Sequence, residues 1–390
     1  MKIAILGKGT SAIITALTCI KRGHEVEIYY DPEKPHLIVG EATTPHIADL
    51  IKEVLDISIG DLIDEGIVSL KFGVSFDGWG VGNKFRHYFN RNRSAFHFEN
   101  NVLNEYINNL LENLGVIYHQ FKVENYNIDL NAQKVIINDI EYDHLICCSG
   151  WSNTDEYIKP IFESVNSALL YSKELDDNFP YTQHLATSDG WQFGLPFPER
   201  NLIKHGYLFN TKFTSIDEAK QNLSVEDIKY ISWEPKYCKK MIQNPYCSYN
   251  GNRLMFLEPL QSLSLYYYAK FADNICDFLN DRNHKNYILK NQQYHEFIMF
   301  YQLGLAWHYS YGSKHNTSFW NDIKERSNQL LNIIPATRPE YFEEALFYDK
   351  KHAVFDRYGL GCFGYEDYLQ VHSGMTGKKL ELKDTYTNFF

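Results

Sequence analysis

Residues 2 to 31, KIAILGKGTSAIITALTCIKRGHEVEIYYD, decide the fold. The apolar run Ile3–Leu6 ends at a glycine-rich turn, a helical segment follows as far as Gly23, and Val26–Tyr30 form a second apolar run. This order of strand, glycine turn, helix and strand is typical of a Rossmann-type βαβ unit. We therefore predict an α/β protein whose sheet begins with the first residues of the chain.

The turn of this unit, Gly7-Lys8-Gly9-Thr10-Ser11-Ala12, has the pattern of a dinucleotide-binding loop, with Ala12 in the third glycine position. Gly7 permits a tight bend, and Gly9 lets a pyrophosphate approach the backbone beside the free N–H groups of the helix. Asp31 lies close to the position from which an acidic side chain holds a ribose hydroxyl. The residues expected to hold the dinucleotide are Gly7, Gly9, Thr10, Ser11, Ala12 and Asp31.

The composition excludes several classes of function. The 390 residues carry a net charge of −11 and contain no basic run, which argues against a nucleic acid partner. The seven cysteines lack zinc or Cys-x-x-Cys spacing, so we expect reduced thiols and no metal site. No apolar run approaches the length of a membrane span and no leader pattern is recognised, so we expect a cytosolic protein without a membrane partner. The 29 Tyr and 25 Phe residues favour a ligand cleft lined by aromatic side chains.

The later segments return repeatedly to one sheet, without a clear linker. Strand patterns cover 190–215 and 228–256, helical patterns cover 262–281, 293–310 and 320–334, and the tail from 370 has little pattern. We expect two interleaved modules. Residues 1–300 bind the dinucleotide and include substrate-side strands at about 190–256, and residues 301–390 form a helical substrate-side module.

Residues 68 to 79, VSLKFGVSFDGW, alternate between apolar side chains and small or polar ones. The alternation predicts one half-buried strand with Leu70, Phe72, Val74 and Phe76 on one face and Lys71 on the other. The neighbours of Lys71 on its own face are small, which leaves room for a ligand above the strand. A lysine on a solvated face is the alternative, and the stretch alone favours it.

Eight segments, in order along the chain, resemble the flavin-dependent halogenases, especially the branch that contains the tryptophan halogenases. They are GKGTSA at 7–12, VGEATTP at 39–45, LKFGVSFDGW at 70–79, SAFHFENNVLNEYI at 94–107, DHLICCSGW at 143–151, GWQFGLPF with GYLFNTKFTS within 190–215, FLEPLQSL at 256–263 and HYSYGSKHNTSFW at 308–320. The resemblance implies a Rossmann-like FAD-binding module of the flavin monooxygenase type, with a mixed sheet and a helical substrate-side module. In that family reduced FAD, oxygen and a halide give hypohalous acid, which a lysine directs onto an aromatic ring.

The resemblance assigns roles to two of the quoted motifs. Lys71 matches the family's catalytic lysine, which implies that its ammonium binds hypohalous acid or forms a haloamine, and this reverses the solvated interpretation. The motif VGEATTP matches the signature that lies against the flavin, and its residues Gly40, Glu41, Ala42 and Thr43 are expected to contact the cofactor. For Glu41, a carboxylate that interacts with a helix N-terminus is the alternative.

The segment GWQFGLPF stands in the place of the family's Trp-x-Trp-x-Ile-Pro element, which is interpreted as a wall that keeps the substrate away from the flavin. Trp191 and Pro196 match this element, while Phe193 and Leu195 replace its second tryptophan and its isoleucine. Because the replacements are apolar, we expect a wall of the same kind.

The largest departure from the family lies in EPLQSLSL, where the tryptophan halogenases have Glu-Pro-Leu-Glu-Ser-Thr-Gly. Gln261 occupies the position of the glutamate that assists the lysine, and an amide cannot take a proton. Leu263 and Ser264 stand where backbone amides of the family's Thr-Gly pair hold the halide, so a glycine with its freedom of φ is lost. We expect bromide or iodide to be favoured over chloride.

The resemblance also implies partners: FAD, a halide ion as substrate, a small aromatic substrate, and a separate flavin reductase, since no second glycine turn indicates a nicotinamide site. A homo-oligomer is left open. Two rivals remain, a flavin monooxygenase that hydroxylates an aromatic substrate and a flavin-binding protein that has lost its chemistry. His97, His308 and His315 are expected to be structural, hydrogen-bonded histidines. The segment FDRYGLGCFG at 355–364 resembles the family's C-terminal aromatic segment.

Overall fold

The computed structural model describes most of the chain, in these ranges: 1–34, 40–89, 93–153, 155–176, 179–223, 225–337 and 365–377. The segment FDRYGLGCFG therefore lies outside the described residues, and so does most of the C-terminal end of the predicted helical module. None of the helices that the structure describes is both long enough and apolar enough to cross a membrane.

Five sheets and nine helices build the described part of the chain. The strands are β1 (Lys2–Leu6), β2 (Glu25–Tyr30), β3 (Gly40–Ala42), β4 (Val68–Lys71), β5 (Gly73–Trp79), β6 (Asn83–Tyr88), β7 (Ala95–Glu99), β8 (Ile117–Gln120), β9 (Asn127–Asp129), β10 (Lys134–Ile137), β11 (Ile140–Tyr142), β12 (His144–Cys147), β13 (Tyr157–Ile158), β14 (Ser167–Glu174), β15 (Thr182–Ala186), β16 (Gly190–Phe197), β17 (Leu202–Phe209), β18 (Lys229–Ser232), β19 (Lys236–Cys238), β20 (Ile242–Asn244), β21 (Cys247–Tyr249) and β22 (Met255–Phe256). The helices are α1 (Thr10–Lys21), α2 (Pro45–Leu55), α3 (Ile59–Asp64), α4 (Asn100–Asn113), α5 (Ile216–Leu223), α6 (Ser264–Asn280), α7 (His284–Ser310), α8 (Ser318–Thr337) and α9 (Tyr365–Thr376).

The opening βαβ unit forms the centre of a six-stranded sheet with the order β20-β21-β12-β1-β2-β8. All neighbouring pairs are parallel except β20 and β21, and α1 crosses over between β1 and β2 and packs against α6. The buried run of β12 pairs with β1, which explains its continuous apolar sequence. The predicted α/β fold with its Rossmann-like first unit is confirmed.

A second sheet contains seven strands in the order β18-β14-β17-β16-β15-β5-β6. Only the β15–β5 pair is parallel, so this sheet is mixed, as expected. Three small antiparallel sheets accompany these two large ones, and one of them has the order β3-β7-β4. Because β3 and β4 both pair with β7, residues 40–42 and residues 68–71 lie in the same small sheet.

The prediction of one continuous strand over residues 68 to 79 is wrong. The chain breaks at Phe72, whose N–H donates to Pro180 O at 2.8 Å, so that β4 and β5 join different sheets. At this break the exposure of the side chains is the reverse of the expected one: Phe72 is 41 % exposed, whereas Lys71 is fully buried. The solvated interpretation of Lys71 is therefore wrong as well.

The last three helices of the described residues are α7, α8 and α9. α7 packs against α8, and α9 packs against β6, so the tail from residue 370 begins inside a helix that its sequence pattern did not indicate. The expected division at residues 300 and 301 falls within α7, which runs through it without a break. The division into two interleaved modules stays a prediction.

Candidate active site

The glycine turn has the geometry that a pyrophosphate requires. Gly7 has a φ of +121°, and a Cβ there would lie 3.0 Å from Cys148 O. At Gly9 a Cβ would meet no atom within 4 Å, so the space above the turn is open. Gly9 caps α1 without a side chain, and the first turn of the helix contains no acidic residue. The residues present therefore fit a phosphate anion at this helix N-terminus.

Two other predicted cofactor residues lie next to β2 and within β3. Asp31 directly follows β2, and its Oδ1 accepts a hydrogen bond from Glu33 N at 3.0 Å. Glu41 lies in β3 opposite Phe98, and burial raises the pKa of its carboxyl to about 7. Both side chains are only partly exposed.

Lys71 bridges two of the motifs that the sequence singled out. It ends β4, and its Nζ donates to Thr43 O at 2.9 Å and to Ser262 Oγ at 3.2 Å. Thr43 is itself fixed, because its N–H donates to Phe96 O and its Oγ1 accepts from Phe96 N, at 2.9 and 3.0 Å. The lysine is thus held on a rigid strand end, away from solvent, between VGEATTP and EPLQSL.

The surroundings of this ammonium are buried and contain neutral imidazoles. Burial and then the charge of Lys71 lower the pKa of both His97 and His184 well below the usual range. The Nδ1 atoms of both rings are buried and have no hydrogen-bond partner among the described residues. Buried polar atoms of this kind fit a small polar molecule beside the lysine. His97, expected to be structural, does hydrogen-bond to Thr182 at 2.9 Å.

The loop between β22 and α6 has a strained backbone. Gln261 and Ser262 have φ values of 64° and 58°, in the left-handed region that non-glycine residues rarely adopt. Ser264, by contrast, is the first residue of α6, and Leu263 is its N-cap with φ −83°. The position where the family has glycine therefore needs no unusual φ in this chain. The N-terminus of α6 has no side-chain cap, which leaves its first N–H groups for an anion.

The wall segment is β16, and its odd-numbered residues share one face. Trp191 is fully buried, and its ring lies 4.7 Å from that of His184 and 6.4 Å from that of Phe193. Farther along the same face, Leu195 packs with Ala42 of the flavin-side signature. Pro196 points to the opposite face of the strand.

Glu258 holds this wall in place, and sequence reasoning assigned it no role. Its carboxylate accepts from Trp191 Nε1 at 3.1 Å, from Tyr309 OH at 2.6 Å and from Ser164 Oγ, and its carbonyl oxygen accepts from Tyr301 OH. Burial raises the pKa of Glu258 to about 7, although these donors lower it. The signal that could have revealed this role is an acidic residue within the apolar run FLEPL, because a buried carboxyl requires several hydrogen-bond partners.

A pocket lies beside the strained loop that contains Gln261 and Ser262. It lies among β6, α7, α9 and the loop, and its lining combines apolar side chains with a few polar ones: His87, Leu260, Gln261, Leu263, Tyr301, Gly304, Leu305, Trp307, His308, Asp367 and Val371. Its free volume is about 20 Å³, room for one water molecule, so an aromatic ring enters only if lining side chains move. Within the described ranges, no group of three His, Cys, Asp or Glu side chains is arranged to hold a metal ion.

Gln261 lies in this pocket between two histidines. Its Oε1 is 3.4 Å from His87 Nδ1, and its Nε2 is 3.1 Å from His308 Nε2. On its far side, His87 Nε2 lies 2.8 Å from Asp367 Oδ1. Sequence reasoning missed His87 and Asp367, which are 280 positions apart and belong to no local pattern. The loop of Gln261 and Ser262 thus contacts Lys71 through Ser262 and the two histidines through Gln261.

Comparisons with known proteins identify the relatives of this chain. The family model described as tryptophan halogenase matches residues 2–94 and 91–378. The tryptophan 7-halogenase KtzQ of Kutzneria sp. (strain 744) is 22 % identical over 425 residues, which cover 83 % of this chain and 78 % of that protein.

Solved structures show the same fold. A thermophilic tryptophan halogenase whose source is given as Streptomycin violaceusniger superposes with a TM-score of 0.80 at 17 % identity, covering 97 % of this chain and 92 % of that one. A tryptophan halogenase from Shewanella frigidimarina NCIMB 400 gives a TM-score of 0.80 at 17 % identity, with 99 % and 91 % covered. Since the family model spans nearly the whole chain and the expected fold and enzyme class are both confirmed, this chain belongs to the tryptophan halogenase family of flavin-dependent oxidoreductases.

Proposed function

We propose that this chain uses FAD, oxygen and a halide to halogenate a small aromatic substrate through hypohalous acid and Lys71. One observation carries the proposal: a fully buried lysine ammonium is held between the flavin-side signature and the EPLQSL loop, with two neutral histidines beside it. A charged donor in a dry, rigid place stabilises negative charge on a leaving oxygen far better than a solvated one does.

FAD fits the residues of the first module. Gly7, Gly9, Thr10, Ser11 and Ala12 would hold its pyrophosphate at the N-terminus of α1, and Asp31 would hold a ribose hydroxyl. The signature residues of β3 and the loop after it would lie against the flavin ring. When bound and reduced by a separate reductase, FAD supplies together with oxygen the oxidising power that turns halide into hypohalous acid.

The chain's own residues then control where the oxidant goes. The ammonium of Lys71 donates to the oxygen of hypohalous acid, which makes the halogen a stronger electrophile. The wall of Trp191, Phe193 and Leu195 keeps the aromatic substrate on the side of the pocket. Ser262 holds the lysine beside the loop whose Gln261 lines the pocket, so the halogen is delivered toward the pocket.

The halide would be held by the N–H groups of Leu263 and Ser264 at the uncapped N-terminus of α6. We propose that bromide or iodide is used in preference to chloride. Both are easier to oxidise, and both place weaker demands on the general base that Gln261 cannot provide.

A flavin monooxygenase is the second candidate, and one observation favours it. Phe193 stands where the family wall has its second tryptophan and is half-buried, so this part of the wall is smaller. Direct hydroxylation would not require Lys71. A binding protein without turnover would likewise not require it.

A mass-spectrometric assay of the products tests the proposed function. The protein is incubated with FAD, a flavin reductase, NADH and oxygen, and with indoles and phenols, while chloride, bromide and iodide are supplied separately. We expect halogenated product with bromide and iodide and little with chloride. Catalase is the necessary control, because peroxide released from reduced flavin oxidises iodide without the protein. Products that gain only oxygen would favour the monooxygenase, and product that disappears with catalase would refute enzymatic halogenation.

The glycine turn gives a separate prediction for cofactor binding. Gly9→Ala adds a methyl group that meets no protein atom but occupies the space of the pyrophosphate, so we expect FAD to bind at least about 10-fold more weakly. Its melting temperature should stay unchanged. Gly7→Ala is the matched control, because its strained φ should lower stability by about 1–3 kcal/mol. Flavin fluorescence titration and thermal unfolding measure the two effects. Unchanged FAD affinity in Gly9→Ala would place the pyrophosphate elsewhere.

The remaining partners follow from the proposed function. A diffusible flavin reductase would deliver reduced FAD, and a cytosolic location would supply both the reductase and NADH. A homo-oligomer stays open.

A further inference from the structure

The pocket beside Gln261 contains an ordered chain of hydrogen bonds. The carbonyl of Gly304 only accepts, so His308 Nδ1 must donate to it, at 2.7 Å. Burial lowers the pKa of His308 to about 4, so its Nε2 carries a lone pair near neutral pH. That lone pair can accept only from the amide nitrogen of Gln261, at 3.1 Å. The amide oxygen of Gln261 therefore faces His87.

This orientation fixes the protons on the other side of the amide. His87 Nδ1 must donate to Gln261 Oε1, because two lone pairs would otherwise face each other. His87 Nε2 lies 2.8 Å from Asp367 Oδ1, and for the same reason one further proton lies between these two atoms. The arrangement explains why an amide suits position 261: it donates to one histidine and accepts from the other. A carboxylate there would direct an oxygen at the lone pair of His308.

His87 and Asp367 thus form the carboxylate–imidazole pair of this pocket. His87 is fully buried, while the Asp367 side chain is 20 % exposed, so the pair connects the pocket with solvent. The other titratable groups that face His87 are His308 and His184, which burial keeps neutral. Asp367 is the only carboxylate among the described residues that line the pocket.

We infer that the His87–Asp367 pair is the proton acceptor of the aromatic substitution, in place of the carboxylate that Gln261 cannot supply. The inference rests on the proposed function. The halogen–carbon bond forms while the oxygen–halogen bond of hypohalous acid breaks, and the departing hydroxide takes a proton from the Lys71 ammonium and leaves as water. The ring C–H bond then breaks, its electrons restore aromaticity, and its proton passes to Oδ2 of Asp367, because Oδ1 already shares a proton with His87, and from there to solvent. Lys71 regains a proton from solvent, so the protein returns to its starting state.

Kinetic isotope effects on a ring-deuterated substrate test this assignment. In the wild type we expect no primary effect, because loss of the proton is faster than addition of the halogen. In Asp367→Asn and His87→Gln we expect a loss of turnover of about 100-fold. We also expect a primary deuterium effect to appear, since removal of the ring proton becomes the slow step. A purely structural role would lower the rate without creating an isotope effect.

Gln370→Ala is the matched control on the same helix. Gln370 joins α9 to the backbone of Tyr88 by two hydrogen bonds, at 2.9 and 3.1 Å, so its loss loosens α9 without removing Asp367. This variant should show no isotope effect, and thermal unfolding identifies any variant that fails to fold.

The outcomes separate the two proposals. A wild type that halogenates, with Asp367→Asn and His87→Gln variants that are folded and equally free of an isotope effect, overturns the proton acceptor alone. An isotope effect in Gln370→Ala as large as in Asp367→Asn also overturns it. A wild type that gives no halogenated product with any halide overturns the proposed function and the acceptor with it.

Discussion

Lys71→Met abolishes halogenation, with a loss of about 100-fold or more, while the protein still binds FAD and still consumes oxygen. The methionine side chain has nearly the length of lysine but cannot donate a hydrogen bond, so the stabilisation of the departing oxygen is lost. The fold should tolerate the change, because a buried charge is replaced by an apolar group of similar volume. Product mass spectrometry, oxygen consumption and peroxide release measure the three steps separately.

Lys84→Met is the control for this variant. Lys84 lies on β6, in a different sheet from Lys71, and its side chain is 73 % exposed, so its loss should leave turnover unchanged. The account fails if Lys71→Met retains halogenation, or if it loses FAD binding and halogenation in the same proportion. The monooxygenase alternative gains if hydroxylated product persists in Lys71→Met.

Glu258→Ala is expected to have the largest effect on stability. The change leaves the buried donors of Trp191, Tyr309 and Ser164 without their acceptor and opens a cavity beside the wall. We expect the free energy of unfolding to fall by about 3 kcal/mol or more. Chemical denaturation measures the loss, and stability equal to that of the wild type would show that the carboxyl does not organise the wall.

Glu258→Gln is the matched variant, and it adds a pH dependence. The pKa of Glu258 is about 7 in the folded chain and 4.5 ordinarily, so the folded state holds this proton more tightly than the unfolded state. Its contribution to stability is therefore complete below about pH 4.5 and is lost as the pH rises through 7. The difference between the two pKa values corresponds to roughly 3 kcal/mol. Unfolding of Glu258→Gln should depend less on pH over this range than unfolding of the wild type does. Identical pH profiles would contradict the raised pKa.

The sequence predicted the elements whose pattern is local. The run from Ile3 to Tyr30 contains every signal of its βαβ unit, so its strands and helix were predictable. The helical spacing of residues 262–281 likewise anticipated α6. Lys71 was assigned only through the resemblance to a family, because alternation alone favoured an exposed side chain.

The remaining features depend on contacts between distant segments. Strict alternation continues through Phe72, yet the hydrogen bond to Pro180 O redirects the chain there, and nothing in residues 68 to 79 encodes that partner. His87 and Asp367 come together only because α9 packs on β6. From the sequence, Gln261 was a departure from the family pattern. Its amide has a structural reason only once its hydrogen bonds to His87 and His308 are known.

We propose that an oxidant formed from halide, rather than oxygen itself, reaches the aromatic substrate. The most direct measurement is the mass spectrum of the product formed with bromide under oxygen-18 gas, with FAD, reductase and catalase present. Our account predicts a product that shows the isotope doublet of bromine and contains no oxygen-18. A product that contains oxygen-18 and no bromine would contradict the account and establish a hydroxylating monooxygenase.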